Sequence, residues 1–273
     1  MNRLIIYGLI FITSLSILIY RFLIADFPSE IIKELFVPLA TAGLLSPLVA
    51  LFEIILSEGK YFWNTIKCKT YLTNKEVYVS LSYLIQIKVG VNQYFLVRGN
   101  KITYQYQPVG GVYKLAGSLN VEDVWSANFK SDEGVNKDLR FFVKANKIPK
   151  IIKWFKSNKN REIGIWREFK EELLDTNILN HDIFNEINFE YIKTEDSLML
   201  KENRFKNESY HTLIYDIFRI NLSELQITEF KKLLENKNNI GDYIFATDEE
   251  IYKECFNNSK QKIGKHTKYI LNN

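Results

Sequence analysis

Trp166-Arg-Glu-Phe-Lys-Glu-Glu-Leu-Leu-Asp175 is the stretch whose reading decides the rest of the chain. At helical spacing Arg167 and Glu171 stand four residues apart, as do Glu168 and Glu172, so three carboxylates gather on one side of the turn. Trp166, Phe169 and Leu173 fall on the inward side. Carboxylates brought this close repel one another unless a cation neutralises them. Glu168, Glu171 and Glu172 are therefore candidate ligands for a hard ion such as Mg²⁺ or Mn²⁺. The plain alternative is a solvated helix face braced by an Arg–Glu pair.

Upstream the texture is that of a sheet. Val77 to Val89 is β-branched and aromatic with partial alternation, and predicts a strand. Gly90-Val-Asn-Gln93 turns it into a second strand, Tyr94 to Arg98. Lys101 to Gln107 alternates as a third, and the run ends at Pro108-Val-Gly-Gly111. Paired glycines there permit a close backbone approach or simply a turn. Leu139 to Val143 reads as a short strand and Ile148 to Phe155 as a short helix. After the carboxylate stretch come strands at Phe189–Ile192 and Tyr210–Ile220, then an amphipathic helix from Leu222 to Glu235. Thr247 or Asp248 is placed to cap a further helix.

The first 57 residues differ from the rest. Leu4 to Tyr20 and Leu35 to Phe52 carry no charge, and the first apolar run resumes after Arg21 through Ile24; each spans about 27–30 Å as a helix, enough to cross a hydrocarbon core. Two transmembrane helices are expected, forming a hairpin over 1–57, with a cytoplasmic domain over 58–273. Arg3 before the first segment and Lys60, Lys67 and Lys69 after the second predict that both termini and the soluble domain lie in the cytoplasm. Ala40, Gly43, Ser46 and Ala50 recur on the second segment and suit close helix packing.

Across 273 residues, 36 Lys and Arg face 32 Asp and Glu. That mild basic excess suits an anionic ligand and is too small for a DNA or RNA polymer groove. Cys68 and Cys255 have no metal or redox spacing and read as free thiols of a reducing compartment.

Arg167-Glu-Phe-Lys-Glu-Glu172 resembles the R-E-U-x-E-E core of the Nudix box, and Pro108-Val-Gly-Gly111 resembles the strand end that precedes it. The resemblance implies an α/β fold, a divergent Nudix-like α/β/α sandwich with an insertion of about 55 residues between Gly111 and Arg167. It also implies Glu168, Glu171 and Glu172 as metal ligands, with Arg167 bracing them. The box Glu is replaced by Lys159, and its two glycines by Lys153 and Leu174. The chain thus lacks half of the motif, and no catalytic residue is assigned. With the membrane hairpin, the whole chain resembles the two-transmembrane Nudix-type effectors of bacterial cyclic-oligonucleotide antiphage signalling (CBASS).

What that resemblance implies is a receptor. It would bind a cyclic di- or trinucleotide supplied by an upstream nucleotidyltransferase (CD-NTase), oligomerise against membrane lipid, and disrupt the inner membrane in abortive cell death. No cofactor is required, though Mg²⁺ remains a candidate. A membrane-tethered hydrolase of nucleoside diphosphate derivatives is the competing reading. For the ligand, Arg98 and Arg140 are candidates to meet phosphate bidentately, and Tyr104, Tyr106 and Phe142 to stack a base. Ordinary structural or surface placement is the alternative for each.

Overall fold

The structure is a computed structural model and describes residues 3–20, 30–99, 105–115, 121–129, 138–158, 161–162, 164–201, 210–236, 241–257 and 261–271. The chain divides into two compact units, Met1–Lys67 and Cys68–Asn273.

The first unit holds two helices, α1 (Arg3–Ile19) and α2 (Glu30–Lys69). A Cβ on Gly43 would overlap the Oγ of Ser14, so the glycine is what lets these helices meet there. The expected two-span hairpin is not supported: among the described residues, no helix is long and apolar enough to cross a membrane. Helix α1 has 17 residues, about 26 Å at 1.5 Å per residue, short of a core about 30 Å thick. The second apolar stretch forms no helix of its own. It is the middle of a 40-residue helix that begins with Glu30, Lys33 and Glu34, carries Pro38 and Pro47, and ends in Lys67 and Lys69. The expected two-span placement in the inner membrane falls with it. Leu9, Ile12, Leu39, Leu48 and Phe52 are exposed on this unit.

The second unit is mixed α/β. Strand β1 (Glu76–Gln86) is buried from its second residue onward and is the spine of the main sheet. Next come β2 (Gln93–Arg98), β3 (Gln105–Gln107), β4 (Gly110–Val112), β5 (Lys114–Leu115), α3 (Val121–Trp125), β6 (Asn128–Phe129), β7 (Arg140–Lys144), α4 (Ile148–Lys156), β8 (Arg161–Glu162) and α5 (Ile165–Phe169). The chain then runs through β9 (Asn188–Leu200), β10 (Tyr210–Asn221), α6 (Glu224–Glu235), β11 (Tyr243–Thr247), α7 (Asp248–Tyr252) and β12 (Lys262–Ile263). The main sheet has the order β6-β7-β1-β10-β9, with β4 also paired to β1, and a second sheet has the order β11-β2-β3-β12. Strands β1 and β10 pair in parallel with Tyr83 beside Asp216.

Period-two alternation gives each strand two faces. Tyr78, Leu84, Leu213, Tyr215 and Ile217 from the main sheet share one core with Tyr94, Leu96, Ile244 and Ile263 from the second sheet. The outer face of β2 packs Phe95 against Phe230 of α6, with ring centroids 5.2 Å apart. Phe230 in turn meets Phe184 at 5.6 Å.

Two local features depart from the sequence reading. Gly110-Gly111 is not a turn but belongs to strand β4, with Gly111 opposite Tyr83. Strand β9 runs thirteen residues, from Asn188 to Leu200, because pairing with β10 orders a segment of mixed polarity. Thr247 does cap α7: its hydroxyl accepts from the Glu250 N–H while the Glu250 carboxylate accepts from the Thr247 N–H.

Candidate functional site

The carboxylate helix sits against the glycine strand. Helix α5 continues into a wider π-helical turn over Lys170–Leu174, where the Asp175 N–H donates to the Lys170 carbonyl at 2.9 Å. Turns of this kind are uncommon and often mark functional sites. The widened turn buries both Leu173 and Leu174, while Trp166, expected inside, is 40% exposed. Leu174 fills core volume at the position where the box has a glycine.

Gly111 explains how the helix comes so close. A Cβ there would lie 2.6 Å from Glu168 Cγ and 2.8 Å from the Tyr83 hydroxyl oxygen, nearer than any real Cβ approaches. Only glycine lets the Glu168 side chain lie on the strand. A Cβ on Gly164 would meet the Arg167 guanidinium at 3.1 Å, a close contact but less severe than that at Gly111.

Arg167 neutralises the cluster from within. Its guanidinium lies 2.8 Å from Glu168 and 3.5 Å from Glu171. Glu172 is enclosed instead: its Oε2 makes no hydrogen bond among the described residues. Burial, then the charges of Glu168 and Glu171, push its carboxyl up to about 8, against a donated N–H from Gly110. Burial and Glu171 likewise raise Glu168, with Arg167 opposing. The Tyr83 hydroxyl beneath them is also enclosed and unpartnered, and burial followed by Glu168 raises it well above the usual phenol range.

Among the described residues, no group of three His, Cys, Asp or Glu side chains is set to hold a metal ion. Two of the three carboxylates face the Arg167 guanidinium.

A polar row runs from the cluster across the sheet. Gly111, Tyr83, Asp216 and Thr194 stand abreast on β4, β1, β10 and β9. Asp216, 2% exposed, accepts hydrogen bonds from Tyr113 Oη at 2.6 Å and Thr194 Oγ1 at 2.5 Å. The Tyr113 ring meets Tyr83 edge-on at 5.1 Å and Phe155 at 5.5 Å. Sequence reasoning missed Tyr83, Tyr113 and Asp216. The signal for Asp216 was present: a lone carboxylate inside Thr-Leu-Ile-Tyr-Asp-Ile-Phe needs partners if that strand is central.

The expected ligand residues are dispersed. Arg98 is exposed at the end of β2, and Tyr106 lies opposite it on β3. The Tyr106 ring is 5% exposed within the shared core, and its hydroxyl donates to the Gly241 carbonyl at 3.3 Å, so it offers no open face. Arg140 and Phe142 share one face of β7, beside Ser80 and Tyr78. The Phe142 ring lies 5.3 Å from that of Tyr78. Tyr104 and Lys159 lie outside the described residues. Of the described candidates, Arg98, Tyr106, Arg140 and Phe142, none lines the cleft of about 790 Å³ that opens beside Trp166, between the α5–β9 loop and the start of α6.

Parallel and antiparallel strands packed beneath a carboxylate helix, with a glycine pair as its seat, define a domain of the Nudix type. The SMODS-associated NUDIX domain matches over residues 76–271, and the chain belongs to that family. Membership accords with an effector linked to CBASS-type signalling. Comparison with curated proteins and with solved structures gave no match.

Proposed function

We propose that the chain is a receptor-type effector that binds a cyclic di- or trinucleotide and self-associates in response. The observation that carries this reading is a box with half of its motif missing: Lys153, Lys159 and Leu174 stand where it has a Gly, a Glu and a Gly, and pyrophosphate hydrolysis needs bound metal and an activated water. A domain that has lost that half can still hold phosphate. Family membership supports a signalling partner that supplies the nucleotide. Arg98 and Arg140 are the cations we propose for its phosphates, with Phe142 beside Arg140 on β7. The exposed Leu9, Ile12, Leu48 and Phe52 supply apolar surface for self-association. Membrane disruption by spanning helices is not part of the proposal.

The test is a thermal-shift and calorimetric panel of cyclic di- and trinucleotides on the full chain, followed by sedimentation with any ligand that binds. A ligand that raises the melting temperature and shifts the species to higher mass is expected. A complete panel without binding refutes the reading. Mg²⁺-dependent phosphate release abolished by Glu171→Gln would establish the hydrolase instead.

A further inference from the structure

The cleft beside Trp166 takes no part in the ion-paired box. Its volume, about 790 Å³, lies within the roughly 300–1,000 Å³ common for small-molecule sites. Trp166 is held rigid from within: its indole lies 11° from parallel to the buried Phe169 ring, at 5.9 Å. Phe169 is wedged in turn against Phe189, edge-on at 6.2 Å. An indole fixed by a buried aromatic cluster yet 40% exposed is a prepared stacking platform, because no ordering cost remains to be met on binding.

The polar lining divides into two kinds of group. Gln226 is fully committed: its Nε2 donates to the carbonyls of Ile183 at 3.1 Å and Glu186 at 3.0 Å, and its Oε1 accepts from the Ser223 N–H at 3.0 Å. Those bonds pin the 183–186 loop to the start of α6 and fix that wall. The amides of Asn185, Asn188 and Asn221 also line the cleft, and among the described residues their side chains make no hydrogen bond. Asn188 and Asn221 are direct partners across β9 and β10, which sets their Cβ atoms about 5 Å apart on one face. Each amide presents a donor pair and an acceptor in one plane. Among the described residues of the lining, Glu186 is the only one with an ionisable side chain. A phosphate would therefore be repelled, and the matching ligand is planar, uncharged and edged with donors and acceptors.

We propose that this cleft holds a nucleobase, stacked on Trp166 and read at its edge by Asn188 and Asn221. The phosphates stay outside it. The assignment deepens the nucleotide-receptor reading and rests on that reading for the base being part of a cyclic nucleotide. It also moves base stacking away from Tyr106, whose ring is spent on the core.

The test uses the full chain with adenosine, guanosine, cytidine and uridine, which carry no phosphate, and maltose as a sugar control, by saturation-transfer NMR and calorimetry. At least one nucleoside should bind. Trp166→Ala should weaken it about tenfold, the size of one lost base stack, and Asn221→Leu should do the same. Trp166→Phe should retain most of the affinity, and Lys253→Ala, an exposed position at the end of α7 outside the cleft lining, should leave it unchanged. Melting curves of each variant establish that it is folded. Nucleoside binding that survives Trp166→Ala overturns the proposal, as does maltose binding that depends on Trp166 or the absence of any nucleoside binding. Cyclic-nucleotide binding unaffected by Trp166→Ala defeats the cleft assignment and leaves the receptor reading standing. Trp166-dependent nucleoside binding with no cyclic-nucleotide binding does the reverse.

Discussion

Replacing Glu172 with glutamine should stabilise the protein, and the gain should grow with pH. The Glu172 carboxyl titrates ordinarily at 4.5 and in the fold at about 8. A carboxyl raised on folding contributes stability that is full below pH 4.5 and is lost as pH rises through 8, because the unfolded chain ionises it freely while the native state cannot. At 1.36 kcal/mol per pH unit, the span from 4.5 to about 8 sets a ceiling of about 5 kcal/mol on that loss. Local relaxation reduces it to a few kcal/mol. Glu172→Gln keeps an acceptor for the Gly110 N–H and removes the charge. The assay is urea unfolding of wild type and variant at pH 5 and pH 9 in EDTA, comparing the difference between the two proteins so that other titrations cancel. The difference should be under about 1 kcal/mol at pH 5 and 2–4 kcal/mol in favour of the variant at pH 9. A difference that stays constant or reverses sign would refute the account of an enclosed, reluctantly ionised carboxyl.

Gly111→Ala should lower stability by about 1–3 kcal/mol, read as a fall in melting temperature, since the new methyl meets Glu168 and the Tyr83 hydroxyl. An unchanged melting temperature would mean that the helix seat is loose. Asp216→Asn weakens the charge-assisted acceptor of Tyr113 and Thr194 and should cost about 1.5–3 kcal/mol, checked by equilibrium unfolding at pH 7. Phe230→Ala removes the ring that joins Phe95 to Phe184 and should cost about 3–5 kcal/mol. A loss under 1 kcal/mol would show that α6 is not part of the cooperative core.

Much of the α/β order was legible in sequence because strands advertise themselves by composition. The β-branched run at Val77–Val89 and the Tyr210–Ile220 segment each read as strands, and the strands they form, β1 (ending at Gln86) and β10, pair in parallel at the sheet centre. A cap at Thr247 or Asp248 was legible, and the structure makes it Thr247, whose hydroxyl and the Glu250 carboxylate satisfy two orphan amides reciprocally. The membrane hairpin misled for a related reason. An uncharged run shows that a segment is apolar but does not show where its helix begins and ends, and α2 extends to Lys69.

By itself, the sequence determined that a carboxylate-rich helix follows a glycine pair in an α/β domain, since local spacing and strand propensity require only neighbours in the chain. Only the tertiary structure decided how those carboxylates are held. The pairing of Glu168 and Glu171 with Arg167 and the enclosure of Glu172 depend on the seat made by Gly110, Gly111 and Tyr83. Those residues are between about 50 and 90 positions away in sequence. Burial and pairing set the free energy of a charge, and neither is written in the spacing of one helix. The same holds for Trp166, which is exposed beside three asparagines that the pairing of β9 with β10 and the 183–186 loop bring to it.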